Sequence, residues 1–190
     1  MLHLGSLINN ATMLSPFMMG VTVSVLVGCA LTLPISSAAI CIMLGLDGLA
    51  AEAATAGCCA QMIGFAVISY SDNGISGLIS QGLGTSMLQI GNIVRKPVIW
   101  LAPTLAAAIL GPISTVWLQM SNNAIGAGMG TAGLVGPIAA YATMTEAGMA
   151  SCPAIMEIVS MYFIAPAIIS LAIHLLMKKA GWIVPGDMKL

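Results

Sequence analysis

Long apolar stretches separated by very few charged residues dominate the sequence. The windows without any Asp, Glu, Lys or Arg are residues 1–46, 53–71, 73–94, 97–145 and 158–177. A bilayer core about 30 Å thick needs about 20 helical residues at a rise of about 1.5 Å per residue. Two of the windows are therefore long enough for two crossings each. The pattern predicts an all-α fold, a polytopic transmembrane protein with five to seven membrane segments.

Proline and glycine subdivide these windows, because both residues end or break helices. The sequence Ser71-Asp72-Asn73-Gly74 is typical of a turn. The predicted helices cover residues 16–33, 35–46, 49–70, 97–120 and 154–177. Residues 75–94 form a glycine-rich, moderately apolar segment, and a further apolar segment at 124–145 is interrupted by glycines. We assign residues 1–177 to one membrane-embedded domain and residues 178–190 to a polar, cytosolic C-terminal tail.

The basic residues constrain the topology. All five lie in two groups, Arg95 and Lys96 in the first, and Lys178, Lys179 and Lys189 in the second. The positive-inside rule places both groups on the cytoplasmic face, so the chain must cross the membrane an even number of times between them. Three helical stretches lie there, which is an odd number. We therefore expect residues 124–145 to form a re-entrant hairpin or a helix broken inside the membrane.

The glycine-rich segment is the first candidate site. Irregular backbone inside a membrane must be buried in protein or line a watery cavity, because lipid cannot satisfy its polar groups. Gly126, Gly128 and Gly130 favour an unwound backbone, whose amides could bind a polar solute together with the carboxamides of Asn122 and Asn123. The alternative is that these glycines only allow helices to pack closely.

A polar stripe before the first basic group is the second candidate. On a continuous helix Gln81, Thr85, Gln89 and Asn92 would fall within an arc of about 80°. Such a stripe could bond to another helix, lie at the membrane interface or line a solute path.

Glu52 is the third candidate, because it lies early in an otherwise apolar stretch and ionisable groups in membrane segments are costly. If buried, it needs hydrogen-bond donors or must be protonated.

Composition excludes several functions. Charged residues make up 6% and hydrophobic residues 59% of the chain. The net charge of −1 provides no basic surface for nucleic acid. The five cysteines are an odd number without CxxC spacing, which argues against a zinc site and a disulfide framework. No catalytic residues or cofactor motif stand out. The chain has the features of a conduit or a sensor.

Six segments together resemble the bacterial membrane family described as phosphotransferase-system enzyme IIC, which includes the perfringolysin O regulator. They are Leu33-Pro34-Ile35-Ser36-Ser37-Ala38-Ala39-Ile40, Gly57-Cys58-Cys59-Ala60-Gln61-Met62-Ile63-Gly64-Phe65-Ala66, Gln81-Gly82-Leu83-Gly84-Thr85-Ser86-Met87-Leu88-Gln89-Ile90, Pro103-Thr104-Leu105-Ala106-Ala107-Ala108-Ile109-Leu110-Gly111-Pro112, Gly126-Ala127-Gly128-Met129-Gly130-Thr131-Ala132-Gly133-Leu134-Val135-Gly136 and Gly181-Trp182-Ile183-Val184-Pro185-Gly186-Asp187-Met188-Lys189-Leu190. Family members are longer, and this chain resembles their C-terminal part.

The resemblance implies the membrane permease of a phosphoenolpyruvate-dependent sugar phosphotransferase system in the bacterial cytoplasmic (inner) membrane. Its partners would be membrane lipid, a sugar or other hydroxyl-rich solute, a separate cytosolic phosphoryl-carrier subunit and a second copy of the chain in a homodimer. The alternative is a membrane-embedded regulator of toxin or metabolic gene expression derived from such a permease. We expect no cofactor or metal. Glu52 and the polar residues named above are the expected solute contacts, chosen from their chemistry alone.

Overall fold

The computed structural model describes residues 15–190, and this part of the chain is helical and contains no strand. The portion of the predicted membrane domain formed by residues 1–14 lies outside the described residues. The helices are α1 Pro16–Thr32, α2 Ser37–Met43, α3 Gly48–Ile68, α4 Tyr70–Ile79, α5 Ile90–Arg95, α6 Pro97–Trp117, α7 Ala124–Ala127, α8 Val135–Glu146 and α9 Ser151–Lys179.

Three helices are long and apolar enough to cross a membrane, namely α3, α6 and α9. Helix α1 is apolar but shorter, with 17 residues. These helices begin and end close to the predicted boundaries, and the prediction of a polytopic helical membrane protein is confirmed. Helices α6 and α9 each contain a wider π-helical turn, Ile113–Trp117 in α6 and Ser160–Ile164 in α9.

Helix α3 forms the centre of the bundle, surrounded by α1, α6 and α9, and nearly all of its residues are buried. It is rich in Ala, Gly and Cys, which let neighbouring backbones approach closely. A methyl group added at Gly57 would overlap the backbone carbonyl of Ser24 in α1. Because α3 is shielded from lipid, it can carry the polar side chains of Glu52, Thr55 and Gln61.

The helix directions place both basic groups at one end of the bundle. The start of α6 packs against the ends of α3 and α9 through Ile99, Ile68 and Met177. Helices α3 and α9 therefore run in the same direction and α6 runs against them. Lys96 also forms an ion pair with Asp187 in the C-terminal tail, with 2.5 Å between Nζ and Oδ2. We call this end the basic end and the other the opposite end.

The chain between α3 and α6, hairpin 1 (residues 69–96), differs from its prediction. The polar stripe assumed one continuous helix through residues 81–92, but the backbone is extended at Thr85, with a φ of −160°. Before this break a π-helical turn, Ser80–Gly84, follows α4, and after it a short 3-10 helix leads into α5. The predicted turn at residues 71–74 is a kink within α4, where Gly74 has a φ of +61°.

The chain between α6 and α9, hairpin 2 (residues 118–150), is broken as predicted. Helix α7 is a single turn, and Gly130 and Gly133 both have positive φ, a region that glycine enters without a Cβ clash. Helix α8 has 12 residues. At a rise of about 1.5 Å per residue its length is about 18 Å, which is too short to cross a bilayer core. The seven-residue α2 was predicted as residues 35–46 and is also too short to cross.

Candidate functional site

Two of the predicted site residues, Glu52 and Asn122, lie together in a buried group that we call the Glu52 cluster: Glu52, Thr55, Asn122 and Tyr162. The Tyr162 hydroxyl donates to Glu52 Oε2 at 2.5 Å. Asn122 Nδ2 donates to Thr55 Oγ1 at 2.9 Å and to the Gly136 carbonyl at 3.3 Å. The side chains of all four residues are fully buried.

Three elements bring this cluster together. Glu52 and Thr55 are three residues apart and therefore share a face near the start of α3. Tyr162 lies in the π-helical turn of α9. Asn122 precedes α7, and its backbone amide donates to the Gly48 carbonyl at 3.3 Å, which fixes the segment beside the first turn of α3.

Glu52 has an unfilled hydrogen-bonding position. Within residues 15–190 no partner lies in hydrogen-bonding distance of the second carboxyl oxygen, Oε1, although this atom is buried. Leaving a buried polar group without a partner costs about 1–3 kcal/mol. The cluster can therefore accept one further hydrogen bond from a bound molecule.

A second polar group surrounds Gln61 in the second half of α3, and we call it the Gln61 cluster: the buried residues Thr32, Gln61 and Ser86 and the half-buried residues Trp100 and Thr104. Gln61 Nε2 donates to Thr104 Oγ1 at 3.1 Å, and Gln61 Oε1 accepts from Trp100 Nε1 at 3.1 Å. Thr32 joins Gln61 to Ser86 in hairpin 1. None of these residues was predicted as a site residue. The sequence signal that could have indicated this cluster is Gln61, a carboxamide within an otherwise apolar helix.

The carboxamides of the predicted stripe meet at the basic end, in what we call the Gln81 cluster: Ser69, Gln81, Gln89 and Asn92. Gln81 donates to Ser69 Oγ at 2.8 Å, Gln89 to Gln81 Oε1 at 3.0 Å, and Asn92 to Gln89 Oε1 at 2.8 Å. Because the helix is broken at Thr85, this proximity comes from folding of the hairpin.

The C-terminal tail occupies further donors of the Gln81 cluster. Gln89 Nε2 donates to the Met188 carbonyl and Asn92 Nδ2 to the Lys189 carbonyl, each at 3.0 Å. In hairpin 1, Asn73 Nδ2 also donates to the Met188 carbonyl, at 2.7 Å. The tail therefore covers hairpin 1 at the basic end.

The other two predicted side chains act as local caps. Thr85 Oγ1 accepts from the Met87 amide at 3.1 Å. Asn123 Oδ1 accepts from the amides of Ile125 and Gly126, both at 3.1 Å, at the start of α7. Capping of this kind satisfies amides that have no partner within the helix.

The three predicted glycines serve close packing. A methyl group at Gly126 would overlap Asn122 Oδ1, and one at Gly128 would overlap the Cα atom of Ala38. A methyl group at Gly130 would lie 2.7 Å from the Cβ atom of Cys58. Hairpin 2 is thus both broken and tightly packed, which confirms the close packing of these glycines; solute binding by the backbone amides stays a prediction.

The predicted site residues consequently form two groups at different depths. The chain from Glu52 in α3 to Ser69, the residue that directly follows α3, is about 25 Å long at the rise of an α-helix. Glu52 and Asn122 lie toward the opposite end, and Gln81, Gln89 and Asn92 lie at the basic end. The Gln61 cluster lies between these depths.

A protein-family model described as "Phosphotransferase system, EIIC" matches residues 1–190. The chain belongs to the phosphotransferase-system EIIC family. No curated protein and no solved structure matches it. In this EIIC chain the segments that carried the resemblance contact one another: the Ser37 hydroxyl donates to the Gly128 carbonyl at 2.7 Å, and the Thr131 hydroxyl donates to the Gly82 carbonyl at 2.6 Å. The family and the apolar helices identify a membrane protein of the phosphotransferase system.

Proposed function

We propose that this protein is the sugar-uptake permease component of a phosphoenolpyruvate-dependent phosphotransferase system in the bacterial cytoplasmic membrane. The EIIC family assignment supports a role in sugar uptake in general. The observation that carries the specific proposal is the Glu52 cluster, a buried polar group with an unfilled acceptor beside a broken membrane segment.

The chemistry of this cluster suits a sugar. Glu52 Oε1 can accept a hydrogen bond from a solute hydroxyl. The Asn122 carboxamide, like any carboxamide, both donates and accepts, as sugar hydroxyls do. The unwound backbone around Gly126, Gly128 and Gly130 lies in the same hairpin and supplies further polar groups. We propose the Glu52 cluster as the first position of the solute.

The Gln81 cluster is the proposed second position, at the basic end. Gln81, Gln89 and Asn92 offer carboxamides there, while Thr85 and Asn123 hold the two hairpins in shape. By the positive-inside rule the basic end faces the cytoplasm, and in this arrangement residues 1–177 form the membrane domain and residues 178–190 a cytosolic tail. The exposed side chains of Arg95, Lys178 and Lys179 would then meet the separate phosphoryl-carrier subunit.

The outer faces of the long helices are apolar and suit contact with lipid or with a second copy in a homodimer. In α9 the exposed side chains include Ile168, Leu175 and Leu176. Lipid would surround those parts of this surface that the second copy leaves uncovered.

Uptake in vesicles tests the proposal. Vesicles containing the chain, supplied with phosphoenolpyruvate and the soluble phosphotransferase components, should accumulate labelled sugar phosphate. Glu52→Gln and Asn122→Ala should lower sugar binding and uptake while membrane insertion is unchanged. Thr145→Val is the control, because this exposed hydroxyl bonds only to backbone carbonyls of its own helix among the described residues. Unchanged binding in both cluster variants would exclude these residues. Absence of uptake, with altered transcription on gene deletion, would favour the regulator.

A further inference from the structure

The two hairpins carry the same short motif. Hairpin 1 contains Gly82-Leu83-Gly84-Thr85-Ser86-Met87-Leu88, and hairpin 2 contains Gly128-Met129-Gly130-Thr131-Ala132-Gly133-Leu134. Both read G-x-G-T-x-x-L. In each case a short helix follows, α5 or α8, and then a long helix with a π-helical turn, α6 or α9. The motif thus belongs to a repeated unit of hairpin and long helix.

The two units are inverted relative to each other. Hairpin 1 leaves the end of α3 and returns to the start of α6, so it enters the bundle from the basic end. Hairpin 2 leaves the end of α6 and returns to the start of α9, so it enters from the opposite end. Transporters are commonly built from such inverted repeats, with broken helices at the interface between the repeats.

The two motifs meet beside α3. The Thr131 hydroxyl of hairpin 2 donates to the Gly82 carbonyl of hairpin 1 at 2.6 Å, and both residues are buried. The same hydroxyl lies 3.5 Å from the Met62 sulfur of α3. The backbone at Gly82 lies against α3 one turn further on, where a methyl group would be 3.5 Å from Ala66.

One face of α3 connects this contact to both polar clusters. Its residues lie within an arc of about 100° at about 100° per residue, and they are Glu52, Thr55, Cys59, Met62, Ala66 and Ser69. The Glu52 cluster lies at one end of the face and the Gln81 cluster, through Ser69, at the other. The contact between the hairpin tips lies between them, at Met62 and Ala66.

We propose that a path for a hydroxyl-bearing solute runs along this face of α3, and that the contact between Thr131 and Gly82 is its closed gate. The solute reaches the Glu52 cluster from the opposite end, and separation of the hairpin tips opens the way to the Gln81 cluster. This inference rests on the proposed function for the identity of the solute. The gate itself can be tested without any sugar.

A covalent link between the tips tests the gate. In the variant Gly82→Cys/Thr131→Cys, with the five native cysteines replaced by alanine, a short bifunctional methanethiosulfonate reagent should join the tips. At Gly82 the φ is not positive and a Cβ meets no atom closer than 3.5 Å, so cysteine fits there. The cross-linked protein should lose sugar uptake at least ten-fold, keep sugar binding at the Glu52 cluster, and recover uptake when a reductant releases the reagent. Unchanged uptake in the cross-linked protein would overturn the proposal.

Accessibility of a reporter separates failure of the gate from failure of the proposed function. For this purpose Thr55→Cys is added to a chain without native cysteines, and a membrane-impermeant thiol reagent is applied from one side at a time. With Thr131 present, labelling from the basic end should be slow. Thr131→Val removes the hydroxyl and should raise that rate about five-fold, as expected for loss of one hydrogen bond, whereas Thr131→Ser should not. Equal rates in all three proteins would overturn the gate, whether or not sugar is transported.

Discussion

The hydrogen bond between Tyr162 and Glu52 provides the sharpest test of the Glu52 cluster. Tyr162→Phe removes one hydroxyl and keeps the ring, so the packing of α9 against α3 is preserved. Among the described residues, Tyr162 is the only donor to the Glu52 carboxyl group. The variant therefore leaves both carboxyl oxygens buried without a partner.

The expected effect follows from burial. Hydrogen bonds between membrane helices contribute about 0.6–2 kcal/mol, and a buried polar group left without a partner costs about 1–3 kcal/mol. Both side chains are 0% exposed, so water cannot replace the lost donor in the folded protein. We expect Tyr162→Phe to lower the free energy of unfolding by about 1–3 kcal/mol.

Tyr141→Phe is the matched control. Its hydroxyl contacts Ser151 Oγ at 3.1 Å, but the residue is 36% exposed. This variant should change the free energy of unfolding by less than about 0.5 kcal/mol, as expected for an exposed site. Unfolding in mixed micelles, titrated with sodium dodecyl sulfate and followed by circular dichroism, measures both variants. Equal stability of the two variants would refute the reasoning that the Glu52 carboxyl group depends on this donor.

Three further predictions concern packing, pH and topology. Gly57→Ala should destabilise the protein by about 1–3 kcal/mol or more in the same unfolding assay, because the methyl group would overlap the α1 backbone. Gly91→Ala is the control: its methyl group would meet open space beside α5, so this variant should have unchanged or higher stability. The Lys96 hydrogen bond and the Val184 amide lower the pKa of Asp187 below its ordinary value of 3.8, so tail docking by this contact should persist above pH 3.8 and be lost as the pH falls through the lowered pKa. Hydrogen exchange of residues 181–190, corrected for intrinsic rates, should then speed up. Asp187→Asn should reduce that pH dependence without abolishing it, because the Asp72 carboxylate also accepts from the tail amides of Gly186 and Met188. Lys96→Cys and Lys178→Cys should react with an impermeant reagent from the same side of the membrane, and reaction from opposite sides would contradict the re-entrant form of hairpin 2.

Membrane helices could be predicted from sequence because lipid selects them by a local property. A charge-free apolar window of sufficient length enters the bilayer whatever its neighbours are, and proline and glycine mark its ends. The boundaries of α1, α3 and α9 were therefore close to their predictions. The positive-inside rule also predicted an even number of crossings between the two basic groups, and this led to the prediction that hairpin 2 is broken.

The partners of the polar side chains could not be predicted in the same way. A buried carboxamide must find a donor or acceptor, but which one it finds depends on packing between segments distant in sequence. Gln61 bonds to Thr104 and Trp100, and Gln89 bonds to Met188 in the tail. For the same reason the sequence did not show how Gln81, Gln89 and Asn92 come together: the chain breaks at Thr85, and folding of hairpin 1 places their side chains in contact.

The sequence alone indicated that this protein folds in a lipid bilayer, where its long helices lie along the chain, and which residues are too polar to face lipid. Tertiary structure decided that α3 lies at the centre, that Glu52 and Asn122 share one cluster while Gln81 belongs to another, and that the two hairpin tips touch. Hydrophobic transfer acts on each segment separately, so it can be read along the chain. Close contacts such as Gly57 against α1 and Thr131 against Gly82 depend on the mutual fit of several segments, and only the folded bundle contains that information.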